Sequence, residues 1–210
     1  PGKGDEDILA TESALNGPEG ISLMEDDQDE LIGIIITDTM NHRIRQLDMA
    51  TQRINTIAGT GEPGDEGNGG LAINAKFNSP RHAYYDKLTG DIFVVDTWSF
   101  KIKQILKSNG TITTVVGPCP YQASGNGDGG SALEACILDP SYFTMNSDRE
   151  WLIADSGNNR IRKVDSNGII STVAGGDGVP MDGPATSVGL NRPTTIAFTP
   201  TGEMLIGEED

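Results

Sequence analysis

Along this chain apolar positions alternate with polar ones or run only briefly. β-Branched residues are common in these runs, and turn residues separate them, which is the pattern of short strands. Residues 82–86, 91–96, 101–106 and 111–116 read as four strands, with Thr89-Gly90, Trp98-Ser99 and Asn109-Gly110 as the turns between them. No apolar run approaches the roughly 18 residues of a membrane-spanning helix.

The pattern repeats. Ile36-Thr37-Asp38, Val94-Val95-Asp96 and Ile153-Ala154-Asp155 each end a strand on an acid, and Ile206-Gly207-Glu208 begins a fourth copy. Five residues after each of the first three acids comes a base-Ile-base triplet: Arg43-Ile44-Arg45, Lys101-Ile102-Lys103 and Arg160-Ile161-Arg162. A short strand and a Gly-rich connection follow, closing at Pro80, Pro140 and Pro193, with Pro18 in the same slot. Four-stranded units repeated at this length predict β-propeller blades, each of which needs its neighbours to bury its faces. The units divide as residues 1–19 (an acidic segment or inter-blade loop), 20–79, 80–139 and 140–192 (three blades), and 193–210 (a partial fourth).

Asp155-Ser-Gly-Asn-Asn-Arg-Ile-Arg-Lys-Val-Asp165 and Asp38-Thr-Met-Asn-His-Arg-Ile-Arg-Gln-Leu-Asp48 resemble the NHL repeat, whose Asn-His pair stands here as Asn41-His42. The second unit departs from it, with Trp98, Ser99 and Phe100 in place of small and Asn residues. The resemblance covers about residues 18–210 and implies an all-β, NHL-type propeller, six-bladed in most of the family. The long Gly-rich connections resemble its longer-repeat branch. Three units and a partial fourth fall short of the about four to eight blades of a closed ring. The chain is therefore expected to be a segment of a larger propeller. Association of two copies is the alternative.

The formal charge of −16, from 31 acidic and 15 basic residues, changes this picture little. Ten of the acids lie in residues 1–30, and the span 31–200 carries only −3. Nucleic acid is a disfavoured partner, because phosphate binding needs unmatched Lys and Arg. The bases of the triplets each have an Asp at hand.

Residues present in every unit are read as scaffold. Asp38, Asp96 and Asp155 are expected to accept backbone N–H groups of the following turn and to pair with the base five residues on, Arg43, Lys101 and Arg160. The Ile of each triplet is expected to pack against a neighbouring blade, with the bases on the other face. Two G-x-G-x-x-G matches, starting at Gly59 and Gly125, lack the βαβ setting of a dinucleotide site. Asn126 and Asp128 resemble part of a calcium loop, but Ser124 stands where its leading Asp should be. The expectation is therefore no cofactor, with calcium the weak alternative.

Function is sought where units differ. His42, His82, Trp98, Phe100, Tyr121 and Tyr142 fall in loops or strand starts at one end of the blades and are the interface candidates. Exposed aromatics beside Gly-rich loops suit a protein or peptide partner. The expectation is a non-catalytic binding scaffold. The alternative is a propeller enzyme, a calcium-dependent hydrolase or a lyase, whose metal site is completed by further blades. No H-E-x-x-H, G-x-S-x-G or phosphate-loop pattern occurs. Cys119 and Cys136 share one connection and are a candidate disulfide, and Asn109-Gly110-Thr111 is a glycosylation sequon. Together they lean toward an exported protein.

Overall fold

A computed structural model describes residues 6–118, 127–176 and 183–209. Two compact units emerge, residues 1–114 and 115–210, and each is taken by itself. In the first unit, strands β2 (Gly20–Glu25), β3 (Leu31–Asp38), β4 (Arg43–Asp48) and β5 (Arg53–Ala58) form an antiparallel sheet with β1 (Ile8–Leu9) added beyond β5. Strands β6 (His82–Tyr85), β7 (Ile92–Asp96), β8 (Lys101–Ile105) and β9 (Ile112–Val116) form the next, and β9 spans the boundary between the units. The second unit holds the sheet β10 (Tyr142–Met145), β11 (Trp151–Asp155), β12 (Arg160–Val164) and β13 (Ile170–Gly175). It also holds the hairpin β14 (Pro193–Phe198) and β15 (Met204–Glu208). The strands read from the sequence in the second repeat lie within one residue of those observed.

The first core forms between the sheets β2–β5 and β6–β9. Met24, Ile35, Ile44 and Ala58 on one side meet Ala83, Ile92, Val94, Ile105 and Ile112 on the other. Ala72, Ala75 and Phe77 of the Gly-rich connection complete the cluster. Gly20 is required here, since a Cβ on it would stand 2.6 Å from the Arg81 carbonyl oxygen and 2.9 Å from the Cα of His82. In the second unit Leu152, Ala154, Ile161 and Ala174 pack with Ile196 of the hairpin. The buried Ile44 and Ile161 of the triplets thus face a neighbouring sheet, as the alternation requires.

Residues 6–17 follow the same course as the later Gly-rich connections. The Thr56 N–H and hydroxyl donate to the Glu6 carboxylate, each at 2.6 Å. The Thr114 N–H donates to Asn68 at 2.6 Å and its hydroxyl at 3.1 Å. Glu6 and Asn68 each lie twelve residues before a closing proline, Pro18 and Pro80. Each connection therefore straps the outermost strand of the blade it introduces.

Candidate functional site

The end of each blade that carries the candidate residues is built around one buried carboxylate. Asp38, Asp96 and Asp155 are fully buried at the ends of β3, β7 and β11. Each accepts the backbone N–H of a residue two positions before a closing proline: Asn16 at 2.7 Å, Asn78 at 2.7 Å and Leu138 at 2.8 Å. The strapping residue reciprocates, its carbonyl accepting from Met40 at 3.1 Å, Trp98 at 3.1 Å and Gly157 at 2.9 Å. The backbone donors therefore belong to the preceding connection, not to the following turn as expected. Asn41 and Asn158 supply the turn's own contribution through their carboxamide nitrogens.

The expected ion pairing shifts by two residues. The base five positions on lies opposite the acid in the ladder, in the pairs Asp38–Arg43, Asp96–Lys101 and Asp155–Arg160. It sits at the rim, where the Arg43 guanidinium donates to the Thr60 carbonyl at 3.1 Å and Lys101 meets Asp65. The buried ion pair is made by the second base. Lys103 lies 2.8 Å from Asp96, and Arg162 lies 3.1 Å from Asp155. A second acid from the connection closes on the same cation, Asp65 on Lys103 at 3.0 Å and Asp128 on Arg162 at 2.5 Å. Arg45, fully buried, has Glu6 at 4.0 Å. Arg45, Lys103 and Arg162, not the expected Arg43, Lys101 and Arg160, are thus the buried bases of the triplets. The two bases of a triplet share a face, and two rungs of the ladder take the second from the rim to the interior.

Burial raises Asp96 and Asp155 above the usual carboxylate range despite these partners. Burial also acts to raise Asp65 and Asp128, but hydrogen bonds from Lys101 and Lys103, and from Thr172 and Arg162, outweigh it and lower both. Asp128, read as a weak calcium ligand, therefore faces a guanidinium. Its companion Asn126 lies outside the described residues, as do Tyr121 and Cys119. Cys136 is disulfide-bonded.

The turn after each buried acid is one 3₁₀ turn, Thr39–Asn41, Thr97–Ser99 and Ser156–Asn158, followed by a left-handed residue. That residue is His42 (φ 52°, ψ 42°), Phe100 (φ 56°, ψ 44°) or Asn159 (φ 55°, ψ 44°). His42 uses the position, its Nδ1 accepting the Ser79 N–H at 3.1 Å. Burial lowers its basicity, with Asp96 acting the other way, which keeps Nδ1 available as an acceptor. Asn159 does the same for the Arg192 N–H at 2.9 Å. Phe100 brings a ring with no such acceptor. It is 42% exposed, and Trp98 in the same turn is 60% exposed. Met40, at the place matching Trp98 in the first repeat and absent from the expected set, is also 60% exposed.

Two expected surface residues are not at the surface. His82 is only 5% exposed, because it starts the edge strand β6, where its backbone lies close to Gly20. Tyr142 is partly buried against the core of the second unit. Trp98 and Phe100 are the expected candidates that the structure presents to solvent together.

These units define an all-β protein of the β-propeller type, its blades organised by a recurring buried acid–base pair. Its homologues include NHL repeat-containing protein 2 of Homo sapiens, 26% identical over 214 residues. That match covers 91% of this chain and 29% of the relative. Teneurin-3 of Danio rerio is 33% identical over 144 residues, covering 59% of this chain and 5% of the relative. The chain therefore spans less than a third of either relative. A structural genomics protein of unknown function from Bacteroides thetaiotaomicron superposes with a TM-score of 0.70 at 20% identity, over 92% of this chain and 45% of that one. No protein-family model matches the chain.

Proposed function

We propose that this chain is a non-catalytic propeller scaffold that binds a protein or peptide through the blade end carrying Trp98 and Phe100. The observation that carries the reading is Phe100. A bulky ring occupies a left-handed position (φ 56°) where the neighbouring repeats place His42 and Asn159, which satisfy a backbone N–H. An L-residue other than Gly, Asn or Asp pays roughly 1–2 kcal/mol for that conformation. Strain kept beside an exposed Trp, at a site where the neighbouring repeats use a hydrogen-bonding His or Asn, supports selection for contact. Trp is also the residue type most enriched among interface residues that dominate binding energy.

The partner suited to this end is an apolar or aromatic segment that lies over the Trp98–Phe100 turn. The reading needs no cofactor. Its test is a random peptide display library selected on the intact chain. Binders should be lost on Trp98→Ala and kept on Leu88→Ala, an exposed apolar control in the β6–β7 turn at the other end of the same blade. Equal loss on both, or on neither, would count against it.

A further inference from the structure

We propose that Asn109 is an N-glycosylation site, the acceptor for an oligosaccharide carried as a lipid diphosphate. Asn109-Gly110-Thr111 is the chain's single Asn-x-Ser/Thr sequence. It closes the turn between β8 and β9, and Asn109 is exposed there. The side-chain oxygen of Asn109 accepts the Thr111 N–H at 3.0 Å and the Thr111 hydroxyl at 2.8 Å. Both contacts use the carboxamide oxygen and leave the reacting nitrogen out. They span two residues, so the arrangement is local and does not wait for blade packing. A Cβ built on Gly110 meets nothing within 4 Å, so the tip of the turn has room for a bulky substituent.

The fold does not ask for this hydroxyl. In the next repeat the same place before β13 is Asn167-Gly168-Ile169, with an apolar residue where Thr111 stands. Thr111 and Ile169 each form an isolated bridge to a connection, Leu71 with Thr111 and Ser131 with Ile169. Backbone pairing is thus preserved without the hydroxyl, which makes Thr111 an addition to the turn. The disulfide at Cys136 supports the setting independently, since such bonds persist in the oxidising compartments where this modification is made.

In the reaction, Nδ2 of Asn109 forms a bond to the anomeric carbon as the bond from that carbon to the diphosphate oxygen breaks. The lipid diphosphate leaves with the electron pair, and one amide proton passes to a base of the transferase. The β8–β9 turn lies at the opposite end of the sheet from Thr97–Ser99, because β8 runs between them. The glycan would therefore leave the Trp98 end uncovered.

The test expresses the full chain behind a cleavable secretory leader in a eukaryotic host. The leader-free wild type should show one mobility step that a glycosidase specific for N-linked sugars removes, converting Asn109 to Asp. Asn109→Gln and Thr111→Ala should abolish the step, and Thr111→Ser should keep it. Leader removal reports entry into the compartment, so a leader-free but unmodified wild-type chain would overturn the proposal. So would a step that survives Asn109→Gln.

Discussion

The carboxylate of Asp155 and the guanidinium of Arg162 meet at 3.1 Å with neither side chain exposed to solvent. The pair ties the end of β11 to the interior of β12, and Asp128 brings the Gly-rich connection onto the same cation. Removing one partner of a buried pair leaves an uncompensated charge, at a cost of about 3–5 kcal/mol. Arg162→Ala should therefore destabilise the chain by about 3 kcal/mol in urea denaturation. Arg160→Ala, at the rim, should cost no more than about 1 kcal/mol, as exposed pairs do. The reverse order would refute the assignment of the second base as the structural one.

Phe100→Asn tests whether the aromatic residue is held for something other than stability. Asn tolerates the left-handed region, and His42 and Asn159 show what an acceptor does there. The substitution should leave stability unchanged or raise it by up to about 1 kcal/mol, while weakening binding of display-selected peptides. A clear loss of stability would show that Phe100 is packing, not presented.

His82 should give the chain a specific response to acid. Burial lowers the pKa of its imidazole to about 4, against 6.5 for a free imidazole. Between those values the unfolded chain binds a proton that the folded one does not, so stability is full above 6.5 and falls as pH drops toward 4. The difference sets an upper bound of about 3 kcal/mol on this effect. Asp96 and Asp155, raised by burial, act in the opposite sense, because the folded state holds their protons more tightly. Thermal melts of wild type and His82→Gln at pH 7 and pH 4.5 separate the two. The wild type should lose more stability on acidification than the variant, and parallel losses would contradict the burial argument.

Much of this architecture is legible in the sequence, and what is not has identifiable physical causes. Alternation and turn residues place β6 to β9 closely, because the period of a strand is written directly in its side chains. Asp38, Asp96 and Asp155 stand out by recurrence. Which base meets them does not, since the choice depends on depth below the rim. Lys103 lies opposite Val94, and Arg162 opposite Ile153, two rungs inside Lys101 and Arg160. The burial of His82 is illegible for a related reason. Its position along the strand is clear, but its cover, the close approach of Gly20, comes from 62 residues away in the chain. Trp98 and Phe100 are legible because they break a repeat. Met40 is not, because a single Met in an otherwise matching unit breaks nothing visible.

The central claim is that Trp98 is presented for binding rather than for packing. The most direct test is the Kd of one display-selected peptide for the wild type and for Trp98→Ala, measured beside the Tm of each. The account predicts at least about a tenfold loss of affinity, the scale of a dominant interface residue, with the Tm unchanged. Unchanged affinity, or a loss of affinity that follows a fall in Tm, would contradict it.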